Sequence, residues 1–208
     1  MNDGSFSGNL IIFAEGAFVI PYYSCIFLAD IVFGAEYPNP HIRDGYTRPL
    51  RRWQLYLGKV LGSLIVGLVM FAAAFVLLIL TTLLFGMGDG SIDTFTVTDF
   101  LLKAAVALPL WIAGISIGYA FLYGMANKKR AFAGFYLTVL VIPRLVILLA
   151  SEKIHIPPFT GLVNILITPQ FQALQFYFTM DIKKCVILGL VYSVIATAVG
   201  MTCFYRRK

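Results

Sequence analysis

The sequence predicts an all-α, polytopic membrane protein: one bundle of transmembrane helices, in a single domain that covers residues 1–208. Two properties favour this fold class. The chain is 60% hydrophobic and only 12% charged, with a mean hydropathy of +0.86, which leaves too little polar surface for a soluble domain. The apolar residues also lie in continuous runs. Because they do not alternate with polar residues, helices are favoured over the strands of a membrane barrel.

Five apolar runs are each long enough to cross a hydrocarbon core. Such a core is ~30 Å thick and takes ~20 helical residues. The first run is longer than the apolar region of a signal peptide, and no basic residue precedes it, so we predict that it is a retained span. The five predicted spans are 10–33, 57–85, 100–123, 131–150 and 184–205.

The distribution of charge predicts which span ends lie in the cytoplasm. Basic residues gather between the first two spans, between the third and fourth, and after the fifth, whereas the loop 86–99 holds three Asp and no Lys or Arg. The positive-inside rule then places the N-terminus outside and the C-terminus in the cytoplasm. Because the net charge of +6 follows this pattern, it does not indicate a nucleic-acid partner. The basic residues in these three places, eleven of the sixteen Lys and Arg in the chain, are Arg43, Arg48, Arg51, Arg52, Lys59, Lys128, Lys129, Arg130, Arg206, Arg207 and Lys208.

Small and kinking residues within the spans predict how the helices pack. Gly114 and Gly118 form a small-xxx-small pair, as do Gly58 with Gly62 and Ala196 with Gly200, and we assign these pairs to packing within the chain in preference to a dimer interface. Pro21, Pro109 and Pro143 predict kinks in the first, third and fourth spans. All three cysteines fall inside spans, with a spacing that suits neither a zinc site nor a disulfide framework. No metal site is therefore predicted.

Residues 151–183 form an extracellular loop in this topology, yet much of the loop is hydrophobic. Pro169 and the polar residues around it make the loop too interrupted to cross the membrane. One interpretation is a pair of short re-entrant or interfacial helices, with aromatic side chains at headgroup depth. The other is a lid packed on the outer ends of the spans. The aromatic residues are Phe171, Phe176, Tyr177 and Phe178.

Two charged residues within the spans lie at matching depth. Glu15 and Arg144 are each about six residues from the outer end of their span. An unpaired charge in hydrocarbon is costly, so we predict a Glu15–Arg144 ion pair. The pair is either a gate in a translocation path or a structural tie between two helices, and the structural tie is slightly favoured. Lys103 lies near the start of the third span, so its amine is expected to extend outwards to water.

The loop between the first two spans contains a candidate partner-binding helix. Asn39 suits an N-cap and Pro40 suits a first helical turn, which together predict a short helix. Its two apolar side chains, four residues apart, would share one side, with two charged residues beside them. From these residues alone, docking to a soluble partner and binding to anionic lipid heads are equally favoured. The residues concerned are Asn39, Pro40, His41, Ile42, Arg43, Asp44 and Tyr46.

The stretch 36–59 resembles the first cytoplasmic loop of the type 2 permease family of ATP-binding cassette (ABC) exporters. That loop has a Glu at the end of a membrane helix, then a short amphipathic stretch. An Arg followed by an aromatic or polar pair comes about ten residues later, and a Lys opens the next helix. Here the corresponding elements are Glu36, the stretch 39–46, Arg52 with the two residues that follow it, and Lys59. The resemblance implies that this loop docks an ATPase.

The chain also departs from that family. Pro38 and Pro40 stand where the family more often has a basic residue and a Gly, and the stretch 48–51 replaces a turn of small residues. The family has six membrane helices and a cytoplasmic N-terminus, whereas this sequence predicts five helices with Met1 outside. The family helix without a counterpart in this prediction would be the first helix of the family pattern. Three alternatives stay open: a truncated coding sequence, a fragment, and a genuine five-helix variant.

The resemblance implies a permease subunit that moves a peptide or small amphiphile across the bacterial plasma membrane by alternating access. Two such chains, as a homodimer or heterodimer, would line the pathway, and separate ABC ATPase subunits would dock on the coupling loop 36–56 and hold ATP and Mg. The chain itself has no Gly-x-x-x-x-Gly-Lys-Ser/Thr loop, so we expect neither catalytic residues nor a cofactor in it. The alternative is a non-transporting membrane sensor, immunity or scaffold protein, which predicts no ATPase partner.

Overall fold

A computed structural model describes residues 18–33, 52–86, 94–125, 127–151, 157–174 and 181–206. Within these ranges all regular structure is helical, and no strand occurs. The elements are α1 (Val19–Phe33), α2 (Arg52–Gly86), α3 (Thr94–Gly124), α4 (Lys128–Tyr136), a π-helical turn (Leu137–Val141), α5 (Ile142–Ala150), α6 (Pro157–Val163), α7 (Ile167–Ala173) and α8 (Ile182–Arg206).

Four helical segments in the described ranges are long and apolar enough to cross a membrane, which confirms a helical, multi-pass membrane protein. The segment formed by α4, the π-helical turn and α5 counts as one of them, and we call it the fourth span. α1 contributes a shorter apolar stretch, and residues 10–17 of the first predicted span lie outside the described ranges. A five-span bundle therefore stays a prediction. The four segments are Tyr56–Ala73, Leu101–Gly124, Lys128–Ala150 and Ile182–Phe204.

α3 is the central helix of the bundle. In its spanning part 61% of the residues are buried, against 17% in the spanning part of α2. Gly114 and Gly118 let α1 approach closely: a Cβ on Gly114 would lie 2.7 Å from the ring of Tyr22, and one on Gly118 would lie 3.3 Å from Cα of Ile26. The assignment of this glycine pair to packing within the chain is confirmed.

α8 also packs against α3 at glycines. A Cβ on Gly189 would lie 2.6–2.7 Å from atoms of Pro109, and one on Gly200 would lie 3.3 Å from Cα of Ala120. In both cases the contacting residues advance together along the two helices, so α3 and α8 run parallel. α1 runs parallel to α3 for the same reason. Small residues carry these contacts because backbones can approach most closely where no side chain intervenes.

α2 and the fourth span run antiparallel to α1. As a result, the end of α1, the start of α2, the start of α4 and the end of α8 lie at the same end of the bundle. We call it the basic end, since it carries Lys128, Lys129, Arg130 and Arg206. Lys183 and Lys184 lie at the opposite end, at the start of α8, and the assignment of the basic end to the cytoplasm stays a prediction. The contacts that set the directions are Val32 with Gly62, Leu28 with Gly67, Asp30 with Lys128 and Phe27 with Phe132.

The fourth span is interrupted just before Pro143. The π-helical turn Leu137–Val141 precedes the proline, and the N–H of Ile142 bonds to the carbonyl of Leu137, five residues back. A proline removes the donor of one i→i−4 bond and its ring crowds the preceding turn, which accounts for the change in helix type. The kink predicted at Pro143 is thus a local change of hydrogen-bond register.

The hydrophobic loop 151–183 contains the two short helices α6 and α7. Thr168 of α7 contacts Val139, which lies eleven residues before the end of α5, or about 16 Å along the helix axis. α7 therefore reaches the middle of the fourth span, while its contacts with Tyr22 of α1 and Cys185 of α8 lie in the first turns of those helices, so a re-entrant helix and a lid on the helix ends both stay predictions. Phe171 is 2% exposed and packs on Tyr22 with ring centroids 5.2 Å apart, so it lies inside the protein. The other three aromatic residues of the prediction lie outside the described ranges.

Candidate functional site

The predicted coupling loop joins two helices at the basic end. α1 ends at Phe33 and α2 begins at Arg52, and Lys59, two turns into α2, is half-buried. The residues predicted to meet a partner lie outside the described ranges, so their arrangement stays a prediction. They are Glu36, Asn39, Pro40, His41, Ile42, Arg43, Asp44 and Tyr46.

An ion pair ties the end of α1 to the start of α4. Lys128 Nζ lies 2.6 Å from Asp30 Oδ2, three residues before α1 ends. The Lys128 amine also lies 5.9 Å from the ring centroid of Phe132, which in turn packs edge-on against Phe27 at 5.2 Å. Asp30 Oδ1 is buried and has no hydrogen-bond partner in the described part of the chain. The second loop at the basic end is thereby joined to the helix that leads into the coupling loop.

A buried hydroxyl network joins α1, α2 and α3 near the same end. Tyr119 Oη lies 2.7 Å from Ser63 Oγ and donates to the carbonyl of Lys59 at 3.0 Å. Ser63 Oγ also lies 3.3 Å from the carbonyl of Leu28, and its single proton goes either to that carbonyl or to Tyr119 Oη, because Tyr119 uses its own proton on the carbonyl of Lys59. Tyr119 and Ser63 are both fully buried, so these bonds form in a region without water. Hydrogen bonds of this kind hold membrane helices in a fixed register.

Aromatic side chains fill the space between α2, α3 and α8 at the basic end. Tyr56 packs on Tyr119, Tyr123 and Phe204, with ring centroids 5.4–6.1 Å apart. Tyr56 is fully buried, and its hydroxyl has no hydrogen-bond partner among the described residues. That hydroxyl fits against Gly200, where even a single Cβ would clash with it. The first turns of α2 are thus held by large apolar contacts.

Together, these contacts join the helix ends on both sides of the predicted coupling loop to α3 and α4. We define the basic-end frame as the side chains of Asp30, Tyr56, Ser63, Tyr119 and Lys128, together with the backbone carbonyls that the hydroxyl groups contact. A displacement of the loop would reach α1 and α2 directly, and through the frame α3 and α4. Sequence reasoning missed the frame, although opposite charges at the predicted inner ends of two spans were a visible signal for its ion pair.

The charged residues within the spans do not all lie where the sequence predicts. Arg144 is exposed on the surface of the fourth span, and Glu15 lies outside the described ranges, so their ion pair stays a prediction. Lys103 is only 3% exposed. The expectation that its amine extends outwards to water is therefore wrong. Burial by the helices around α3 overrides the short distance between Lys103 and the predicted end of the span.

An apolar pocket of about 370 Å³ lies between α1, α2 and α3. Leu28, Phe71 and Trp111 are among its lining residues, and Ser24 is the one hydroxyl side chain that lines it. Among the described residues, no group of three or more His, Cys, Asp or Glu side chains is placed to hold a metal ion. The pocket's chemistry suits a hydrocarbon surface.

Comparison with protein-family models gives no match, and comparison with curated proteins gives none either. The family expectation therefore depends on the residues of the stretch 36–59. The described helices add one property, a helical bundle with at least four segments long enough to cross a membrane, in which Lys128, Lys129, Arg130 and Arg206 share one end while Lys183 and Lys184 lie at the other.

Proposed function

We propose that this chain is the membrane-spanning permease subunit of an ATP-driven ABC exporter in the bacterial plasma membrane. The observation that carries the proposal is the stretch 36–59, in which Glu36, Arg52 and Lys59 keep the spacing of a type 2 permease coupling loop. The loop is bounded by α1 and α2, both held by the basic-end frame. In this proposal, a separate ABC ATPase docks on the loop 36–56 and supplies the ATP and Mg.

The basic-end frame gives docking a mechanical consequence. Two permease chains, identical or different, line the pathway, and ATP binding draws their coupling loops together. Each loop moves the ends of α1 and α2. Because Tyr119 and Ser63 join these helices to α3, and Asp30 joins α1 to α4, the movement reaches the centre of the bundle and its second basic loop. If α1 and α2 were only loosely packed on the other helices, the loop could move without displacing α3 or α4.

The lining of the pocket favours an amphipathic cargo. Apolar side chains that contact an apolar solute inside the bilayer distinguish poorly between one hydrophobic molecule and another. A range of peptides or small amphiphiles would therefore fit the pocket. Lipid is the competing occupant of the same surface. Stimulation of ATP turnover by added peptide, measured in the reconstituted complex, distinguishes cargo from bound lipid.

The test of the proposal is ATP turnover by the chain purified from its native membrane together with any ABC ATPase that co-purifies with it. Reversal of charge in the loop, as Arg43→Glu or Asp44→Lys, is expected to lower co-purification and stimulated turnover by more than about tenfold, the equivalent of ~1.4 kcal/mol of docking energy. The matched control is Lys129→Glu, an exposed residue at the same basic end but outside the coupling loop, and it should change turnover less than about twofold. Equal losses in all three variants would contradict specific docking at the loop.

Failure of any ABC ATPase to co-purify would contradict the proposal itself. The chain would then belong with non-transporting membrane proteins that sense, confer immunity or scaffold a complex.

A further inference from the structure

The carbonyl of Val139 lacks its regular donor. In an α-helix the carbonyl of residue i accepts the N–H of residue i+4, and for Val139 that residue is Pro143, which has no N–H. Val139 is 2% exposed and lies in the middle of the fourth span. In the π register the next backbone donor is the N–H of Arg144, five residues on, and any further hydrogen bond to this carbonyl must come from a side chain, since no water is present in a bilayer.

A side chain from another helix supplies the donor. Thr168 Oγ1 of α7 donates to the Val139 carbonyl at 3.1 Å, and Thr168 is itself 2% exposed. Val139 is the central residue of the π-helical turn, so the bond forms at the point where the fourth span departs from α-helical register. Among the hydrogen bonds of the described residues, this one joins α7 to the fourth span.

Among the described residues, the other polar contacts of α7 do not reach the fourth span. Gln170 Nε2 donates to the carbonyls of Asn164 and Leu166, which belong to the turn between α6 and α7. Phe171 contacts Tyr22 of α1 through its ring alone. Apolar contacts permit sliding more readily than a directional bond does. The Thr168 bond is thus the contact that fixes where α7 sits along the fourth span.

We infer that Thr168 and Val139 form a latch that couples the position of α6–α7 to the register of the fourth span. When α7 is inserted, its hydroxyl satisfies the carbonyl released by Pro143, and the π-helical turn is stabilised. When α7 withdraws, the carbonyl loses that donor and keeps at most a backbone N–H in its own helix, so the π-helical turn is less stable. The inference goes beyond the proposed exporter function and involves no ATPase, so either can fail without the other.

Cys185 is a built-in reporter of the latch. It is 1% exposed, and its Sγ lies 3.9 Å from Gln170 Oε1, so α7 covers it. In the full-length chain with Cys25→Ala and Cys203→Ala, purified in detergent micelles, the rate of maleimide modification measures withdrawal of α7. Loss of a single buried hydrogen bond in Thr168→Val or Thr168→Ala should raise this rate roughly fivefold. Thr168→Ser keeps the hydroxyl and should keep the rate of the parent protein.

The matched control is Thr160→Val in α6. The hydroxyl of Thr160 is exposed and donates only to the nearby carbonyl of Pro157, so this variant should leave the modification rate unchanged. The latch is overturned if Thr168→Val and Thr168→Ala both leave the rate unchanged, or if Thr168→Ser raises it as much as they do. Both Thr168→Val and Thr168→Ala are measured, so that a packing defect caused by one of the two substitutions does not decide the result.

Coupling to the fourth span is tested with Pro143→Ala, which restores an N–H at the regular donor position. In that background the Val139 carbonyl has a donor of its own, so Thr168→Val should raise the Cys185 modification rate less than about twofold. An equal rise in both backgrounds would show that Thr168 holds α7 without any link to the register of the fourth span, and would overturn the inference.

Discussion

Removal of the hydroxyl group of Tyr119 is expected to destabilise the bundle. Tyr119 is fully buried, and its hydroxyl contacts Ser63 Oγ at 2.7 Å and the carbonyl of Lys59 at 3.0 Å. Tyr119→Phe keeps the ring and its stacking and deletes both bonds. Side-chain hydrogen bonds between membrane helices contribute ~0.6 kcal/mol on average and at most ~1.7 kcal/mol. Two such bonds predict a loss of about 1–3 kcal/mol in the free energy of unfolding.

Tyr56→Phe is the matched control, because Tyr56 lies in the same aromatic cluster with its ring centroid 6.1 Å from that of Tyr119. Its hydroxyl is buried and has no partner among the described residues, so the phenylalanine variant removes an unsatisfied polar group. Removal of such a group is neutral or stabilising, by up to about 1 kcal/mol. The same chemical change is therefore expected to have opposite effects at two neighbouring positions.

The assay is reversible unfolding in mixed detergent and SDS micelles, followed by circular dichroism, with thermal unfolding as a second measure. A change of 1 kcal/mol corresponds to roughly 2–4 °C in Tm for a chain of this size. Equal destabilisation by the two variants, or a larger loss in Tyr56→Phe, would refute the assignment of the hydroxyl network that joins α1, α2 and α3.

Two further predictions concern the packing of α8 and the ion pair of the basic-end frame. Gly189→Ala should destabilise by about 1–3 kcal/mol because its Cβ would meet α3 backbone at 2.6 Å, whereas Gly58→Ala, with open space around it, should stay within ~0.5 kcal/mol in the same unfolding assay. Asp30→Asn should cost at most about 1 kcal/mol, since Lys128 is half exposed. The exchanged pair Asp30→Lys with Lys128→Asp should recover most of the loss caused by Lys128→Asp alone, and the absence of recovery would contradict a direct pairing.

The later spans and the helix-contact glycines were predictable because they depend on local properties. A long apolar run indicates a membrane span wherever it occurs, and Gly114 with Gly118 indicates a close contact without specifying the partner helix. Pro143 likewise predicted a disturbance of the fourth span, because its missing N–H is a property of the residue itself.

Contacts between distant segments were not predictable in this way. The donor that compensates for Pro143 comes from Thr168, 25 residues later, and nothing in the local sequence marks that threonine. Lys103 was expected at the surface from its distance to a span end, but burial depends on which helices surround α3. The Asp30–Lys128 pair needed the directions of α1 and α4 to be known first.

The central claim is that an ABC ATPase binds the coupling loop of this chain. The most direct measurement places a photo-crosslinking amino acid at Ile42 in the native membrane and identifies the adduct by mass spectrometry. The account predicts an adduct with an ABC ATPase at Ile42 and a much lower yield of it when the same probe replaces Lys129 at the basic end. No ATPase adduct at Ile42, or an equal yield from both positions, would contradict it.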